Sequence, residues 1–245
     1  MESNLNFKLV ENILNNHNLN LHGYCSFDLI ADGLIPCRAL SRLNMTFSSN
    51  SPAHTIIAIL FPYKFGDERG NLSRYARVPD YHIAAGHTLE ETCKSLLMAL
   101  PEHRFISFID NSPIPEVRAA ALAGLGIIGD HGLLINPIFG SWVFIGTIIT
   151  DLDFNITNKK VELCEHCGAC AAKCTSGCIG SKSRDDCVSR ITQTKGRLEP
   201  YKEKILVKSG MVWGCDRCQE VCPHNVNARI NPHPCFGGVR FGHSL

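Results

Sequence analysis

The cysteines at 164, 167, 170 and 174 follow the spacing C-x2-C-x2-C-x3-C, and Cys215, Cys218 and Cys222, followed by Pro223, repeat its second half. Thiolates spaced this tightly can reach three irons of one 4Fe-4S cubane from a single loop, so the fourth ligand must come from elsewhere. In two-cluster ferredoxins the last cysteine of each run serves the other cluster. Cys222 is therefore expected to complete the set of Cys164, Cys167 and Cys170, and Cys174 to join Cys215 and Cys218. That second set lacks one ligand, for which Cys187 and Cys178 are the candidates between the runs. Cys187 is preferred, because Cys178 follows Cys174 closely in a Thr-Ser-Gly loop. Two such clusters move electrons one at a time and leave the bond chemistry to another part of the molecule.

Zinc also uses paired C-x2-C units, but a structural zinc site takes four ligands in two pairs and would leave the third cysteine of each run over. A disulfide framework needs an oxidising compartment, and Met1 to Val10 has no basic stretch followed by an apolar core of the kind that directs secretion. Of the 13 cysteines, Cys25, Cys37, Cys93 and Cys235 stand outside the cluster pattern and read as incidental thiols of a reduced cytoplasm.

Something must position these ligands and accept their electrons. At 245 residues and 44% hydrophobic content, the chain can form one substantial core and a smaller module. A net charge of +1 excludes a global basic field for nucleic acid, so any RNA contact is local. The longest apolar run, Leu133 to Thr150, is interrupted by Asn136, Pro137, Gly140, Ser141 and Gly146, which breaks a membrane helix and suggests two buried strands around a turn.

The elements alternate. Residues 5 to 17 read as a helix. Thr55 to Phe61 is a continuous β-branched apolar run between Pro52 and Pro62, as expected of a central strand. Tyr81, Ala84, Ala85, Leu89, Cys93, Leu96 and Leu97 form the apolar stripe of a helix that runs from Pro79 to Pro101. Arg104 to Ile109 is a second strand ending on Asp110, and Asp110 with Ser112 is placed to cap a helix running on through Glu116 to Gly124. A polar linker, Asn155 to Lys160, precedes the cysteines. The fold class is α+β, with residues 1–157 as an α/β catalytic domain and 158–245 as a ferredoxin-like cluster module. Gly124, Gly126 and Gly129 match G-x-G-x-x-G but follow a helix, whereas a dinucleotide fingerprint follows a strand. They read as a turn or a close backbone approach.

Residues 108 to 152 (FIDNSPIPEVRAAALAGLGIIGDHGLLINPIFGSWVFIGTIITDL), Ser73 to His82 (SRYARVPDYH) and Gly214 to Asn225 (GCDRCQEVCPHN) resemble, in order, the motifs of the epoxyqueuosine reductase family. The resemblance implies a nitroreductase/reductive-dehalogenase-like, cobalamin-binding domain followed by the two-cluster module. It implies electrons passing from an external flavodoxin- or ferredoxin-type donor through the clusters to cobalamin, and removal of the epoxide oxygen of epoxyqueuosine in tRNA. It gives Asp110 the role of proton donor, with a pKa expected to be raised by enclosure. The cobalamin contacts it implies fall on Asp110, Leu134, Ile145, Ser189 and Asp216. Tyr81 and His82 form a D-Y-H motif, in which His82 reads as a structural histidine.

The chain departs from the family pattern at Asn111, at Val117 with Arg118 displaced by one, at Ile127 and Asp130 within the glycine motif, and at Thr175. The segment to Cys187 is shortened. Typical members of the family continue into a helical-repeat domain that helps grip tRNA, which this chain is expected to lack, so a short paralogue reducing another substrate, a corrin-handling protein and a non-catalytic electron carrier are the rival readings.

Overall fold

The computed structural model describes residues 2–154, 156–181 and 183–244. Asn155 of the polar linker lies outside them. The chain forms two units, Met1–Phe61 with Tyr81–Gly126 and Phe144–Glu162, and Pro62–Asp80 with Ile127–Val143 and Leu163–Leu245. Where the sequence suggests one boundary at 157/158, the chain crosses between the units five times, the last time at 162/163. The cause lies in 62–80 and 127–143. Both leave the apolar strands of the first unit and carry the polar groups that the cysteine region needs as partners.

The first unit is built on a four-stranded sheet in the order β1-β2-β6-β3, from β1 (His22–Ser26), β2 (Thr55–Pro62), β3 (Phe105–Ile109) and β6 (Val143–Thr150). β1 runs antiparallel to β2 with Tyr24 opposite Ile57, and β3 antiparallel to β6 with Ile109 opposite Gly146. Every residue of β2 is buried, as expected of a central strand covered on both faces. The helix Tyr81–Ala99 packs on β3 and the helix Glu116–Leu122 on β1. Ile56, Ile106, Phe108 and Ile149 join Cys25, Ile114, Ala119 and Leu122 in one core layer.

The second unit carries little regular structure. Two residues each of β4 (Ile127–Ile128) and β5 (Leu134–Ile135) pair, and its helices include Ala169–Lys173, Val188–Thr192, Pro200–Ser209 and Arg217–Glu220. Buried polar groups organise it instead. The Arg74 guanidinium donates to Asp216 Oδ2 at 3.3 Å and to Glu220 Oε1 at 2.9 Å, and stands 4.8 Å over the Trp142 ring. The Arg74 amide donates to the same Asp216 oxygen at 2.7 Å. Arg77 is spent on the carbonyls of Glu68 and Leu72.

The expected strands and helices are present within a few residues of their boundaries, and the glycine motif behaves as a turn. Gly124 closes the helix Glu116–Leu122 at φ +79°, and a Cβ on Gly129 would lie 2.6 Å from the His131 ring. One expectation is overturned. Neither Asp110 nor Ser112 caps that helix: Pro115 precedes it, and Ser112 Oγ instead accepts from the Ile114 amide at 3.1 Å. The helix therefore starts at Glu116, after Pro115 has fixed the backbone φ of the preceding turn.

Candidate active site and cluster module

β3 delivers Asp110 to its carboxyl end, where the chain turns through two consecutive positive φ angles, +49° at Asp110 and +38° at Asn111. Such angles are strained for residues with a Cβ, and Asp and Asn tolerate them best. The Asp110 carboxylate Oδ2 accepts from His82 Nε2 at 2.8 Å, with the two side chains 54% and 50% exposed. Tyr81 also donates to Asp110, and its ring stacks 4.0 Å from Phe144 and 4.1 Å from His82. The Tyr81–His82 pair at the first turn of one helix thus grips a carboxylate presented by a strand. A cavity of about 240 Å³ opens at this point, with Arg42, His82, Glu90, Asp110 and Asn111 in its wall.

Burial pushes the Asp110 pKa up, but hydrogen bonds from His82, the Asn111 amide and Tyr81 outweigh it, and the carboxyl is held below its usual value. Asp110 is ionised at neutral pH. His82 is half-exposed at the cavity wall, with its ring satisfied by that carboxylate.

A second carboxyl lies nearby at Glu116, which the sequence marks as a helix residue and as the glutamate of the pair whose arginine is displaced to Arg118. Glu116 is pushed up to about 8, first by burial and then by the Asp110 charge, against donors from the Asp110 amide and the Ser112 hydroxyl. Its Oε1 is out of contact with solvent and has no hydrogen-bond partner. The one sequence signal was position: a glutamate in the first turn after Ser-Pro-Ile-Pro, with Ala119 to Leu122 buried beyond it.

In the second unit the cysteines gather in two groups. Burial raises the Cys222 thiol, and the neighbouring charges of Cys167, Cys170 and Cys164 raise it further. Cys218 is pushed far up by burial and by the charges of Cys215 and Cys187, and burial together with Cys187 and Asp216 also raises Cys215, to about 11. Cys187 therefore lies beside both members of the second C-x2-C. Cys178 donates to Cys174 at 3.7 Å. Despite burial, Cys174 is lowered to about 7 by donors at Ser176, Ile179 and Cys178. The donor set is all sulfur, as 4Fe-4S clusters take; Cys170, Cys178 and Cys222 are buried, Cys167 is exposed and the others are half-buried. The Asp130 amide donates to Cys164 Sγ at 3.4 Å, and His166 Nδ1 meets Asp130 Oδ1 at 2.7 Å. An amide aimed at a cluster sulfur is a second-shell device that the motif spacing does not reveal.

The residues implied as cobalamin contacts are distributed. Leu134 is buried in β5 and Ile145 in β6. Ser189 Oγ lies 3.1 Å from the Tyr75 hydroxyl, in the wall of a groove with Arg184, Cys187, Arg190 and Gln193. Asp216 is buried against Arg74, which takes up Oδ2 and leaves Oδ1 without a partner.

Residues 163–225 match the family model of the 4Fe-4S double cluster binding domain. The epoxyqueuosine reductase of Lactococcus garvieae is 33% identical over 177 residues, covering 71% of this chain and 50% of that protein. The enzyme of Listeria monocytogenes is 35% identical over 181 residues, 69% of this chain and 47% of that one. The chain is a relative of the epoxyqueuosine reductases. It spans about half the length of the curated relatives it matches. The fold agrees: the solved epoxyqueuosine reductase of Streptococcus thermophilus superposes with a TM-score of 0.72 at 24% identity, over 94% of this chain and 69% of that one. A solved epoxyqueuosine reductase with a tRNA-Tyr epoxyqueuosine-modified stem loop matches at a TM-score of 0.73 and 23% identity, again over 94% of this chain and 69% of that one. Among the described residues, no helix is long and apolar enough to cross a membrane.

Proposed function

We propose that this protein is a cytoplasmic iron-sulfur oxidoreductase of the epoxyqueuosine reductase type that removes the epoxide oxygen of epoxyqueuosine in tRNA. The observation that carries the reading is the Asp110 carboxylate held by His82 and Tyr81 at the wall of a cavity, on the motif positions where the resemblance puts the proton donor. A solved relative's structure includes the modified tRNA stem loop. In another, from Bacillus subtilis, the loop of a catalytic aspartate is swung out of the active site.

Cys164, Cys167, Cys170 and Cys222 would hold one 4Fe-4S cluster, and Cys174, Cys187, Cys215 and Cys218 the other. The thiols gathered around Cys222 and around Cys218 support that division. Bound there, the clusters supply one-electron transfer from a flavodoxin- or ferredoxin-type donor. For a corrinoid the resemblance gives Asp110 and the main chain at Ile145 in the first unit, and Ser189, Asp216 and the main chain at Leu134 in the second; the groove that Ser189 lines with Arg190 and Gln193 carries guanidinium and carboxamide groups suited to an amide-rich periphery. A bound corrinoid supplies the low-potential metal centre for oxygen removal. Asp110 would pass a proton to the oxygen that leaves, His82 and Tyr81 would hold its carboxylate in place, and Arg42 would offer a cation at the cavity wall.

The test is anaerobic protein reconstituted with iron, sulfide and cobalamin, given an epoxyqueuosine-containing tRNA stem loop and a low-potential reductant. Queuosine should form, and Asp110→Asn should lower turnover by roughly 10² or more while both cluster signals persist. A protein that takes up cobalamin yet leaves the epoxide intact points to a different substrate. Two cluster signals with no change in the spectrum of added cob(II)alamin would reduce the protein to an electron carrier.

A further inference from the structure

One hydrogen bond to a cluster thiol comes from outside the cysteine loops. The Ala171, Arg217 and His224 amides donate to Cys170, Cys215 and Cys222, and the Cys178 and Ile179 amides to Cys174, each from the same loop as the thiol it serves. Such bonds follow from the winding of the loop itself. The Asp130 amide instead reaches Cys164 Sγ at 3.4 Å across 34 positions of chain, so loop geometry does not keep it there.

The surrounding bonds do. The Cys164 amide donates to the Ile128 carbonyl at 3.0 Å, beside a parallel bridge between Ile128 and Leu163. Arg184 donates to the Asp130 carbonyl at 2.6 Å and to the His131 carbonyl at 3.1 Å. On the other side His166 Nδ1 meets the Asp130 carboxylate at 2.7 Å. His166 lies between Cys164 and Cys167 at φ +54°, a left-handed backbone strained for a residue with a Cβ. With the two side chains 60% and 30% exposed, this ion pair adds little stability. Its effect is on where Asp130 is held. Asp130 is also one of the positions at which the chain departs from the family motif, so the carboxylate is this chain's own.

We propose that Asp130 is a positioning residue for the cluster that Cys164 ligates: pinned by His166 and Arg184, it aims its amide at Cys164 Sγ and raises that cluster's reduction potential. A donor to a ligand sulfur draws electron density from it, which favours the reduced and more negative state. The Asp130 carboxylate acts in the opposite sense, because a negative charge near the thiols, felt at Cys170, disfavours reduction. Loss of the side chain therefore separates the two effects by sign. The proposal rests on Cys164 as a cluster ligand and not on the epoxide reading.

The whole chain, reconstituted with iron and sulfide and without corrinoid or substrate, is titrated with reductant and followed by electron paramagnetic resonance. The Cys164 cluster is the signal that Cys164→Ser moves. Asp130→Ala should lower its potential and leave the other cluster in place, although a negative charge has been removed. Asp130→Asn, which keeps an acceptor for His166, should not fall below the unsubstituted protein. After exchange into D2O, a deuteron coupled to the reduced Cys164 cluster should be seen by electron-nuclear double resonance, and should weaken in Asp130→Ala and His166→Ala but not in Asp130→Asn. A potential that rises or stays in Asp130→Ala would show that the carboxylate acts by its charge alone and would overturn the proposal. If Asp130→Ala fails to load iron, His166→Ala decides: an unchanged deuteron coupling there overturns the pinning. A protein that behaves as expected yet reduces no epoxide retains the proposal and discards the reductase reading.

Discussion

At the residue scale the site turns on two carboxyls whose surroundings push them apart. Asp110 has three donors and half its surface in solvent, whereas Glu116 has a desolvated oxygen with no partner. The stability consequence has a definite sign. The pKa of Glu116 rises from 4.5 in the unfolded chain to about 8 in the folded one, so the folded state binds the extra proton between those values. The contribution is complete below the lower value and is lost as pH rises through the upper one. Denaturant unfolding should show stability falling between pH 5 and 8, and Glu116→Gln should flatten that slope. The cluster ligands are a second residue-scale case. Cys187→Ala should halve the iron content from about eight atoms per chain, whereas Cys178→Ala should leave it unchanged. Iron analysis and electron paramagnetic resonance on the two variants decide which cysteine is the eighth ligand. The cysteines were legible in the sequence because cubane geometry dictates their spacing over a few residues. The grip of His82 on Asp110 was not, because it joins the first turn of a helix to the end of a strand, and no local rule fixes which face either presents.

At the scale of elements, the apolar run of β2 announced a central strand, and its eight buried residues bear that out. β1 went unread: His-Gly-Tyr-Cys-Ser is short, mixed in polarity and without alternation, and becomes a strand because β2 offers an edge to pair with. Close packing between the sheet and the helix Tyr81–Ala99 explains Gly146 in β6. A Cβ there would lie 2.7 Å from Leu89 and 3.0 Å from Phe61. Gly146→Ala should cost roughly 1–3 kcal/mol by overpacking, measured as a lowered denaturation midpoint. Lost activity without lost stability would contradict the packing account.

At the scale of the molecule, the two units differ in what holds them. The first has a sheet and an apolar core, while the second has short helices, two paired dipeptides and buried polar groups around its thiols. Burial holds several of those thiols protonated in the absence of iron, Cys215 at about 11 with Cys218 and Cys222 also raised, so cluster assembly releases protons and its free energy contributes to folding of this unit. Chelation of iron should lower the melting of the second unit and leave that of the first nearly unchanged, appearing in calorimetry as one transition splitting into two. A single transition shifting as a whole would show the units to be one cooperative body.

The interleaving of the units also sets a timetable for synthesis. Arg74 and Arg77 leave the ribosome long before Asp216, the acid that Arg74 meets across 142 positions of chain. At roughly 5–20 residues per second, that interval is of the order of ten seconds. Through it the nascent chain carries Arg74 without the Asp216 carboxylate that balances its native burial, while β2 and β3 can already collapse. The iron-binding half is thus committed to folding last, after its first segment has waited, and delivery of iron and sulfide to the protein is useful only from that moment onward.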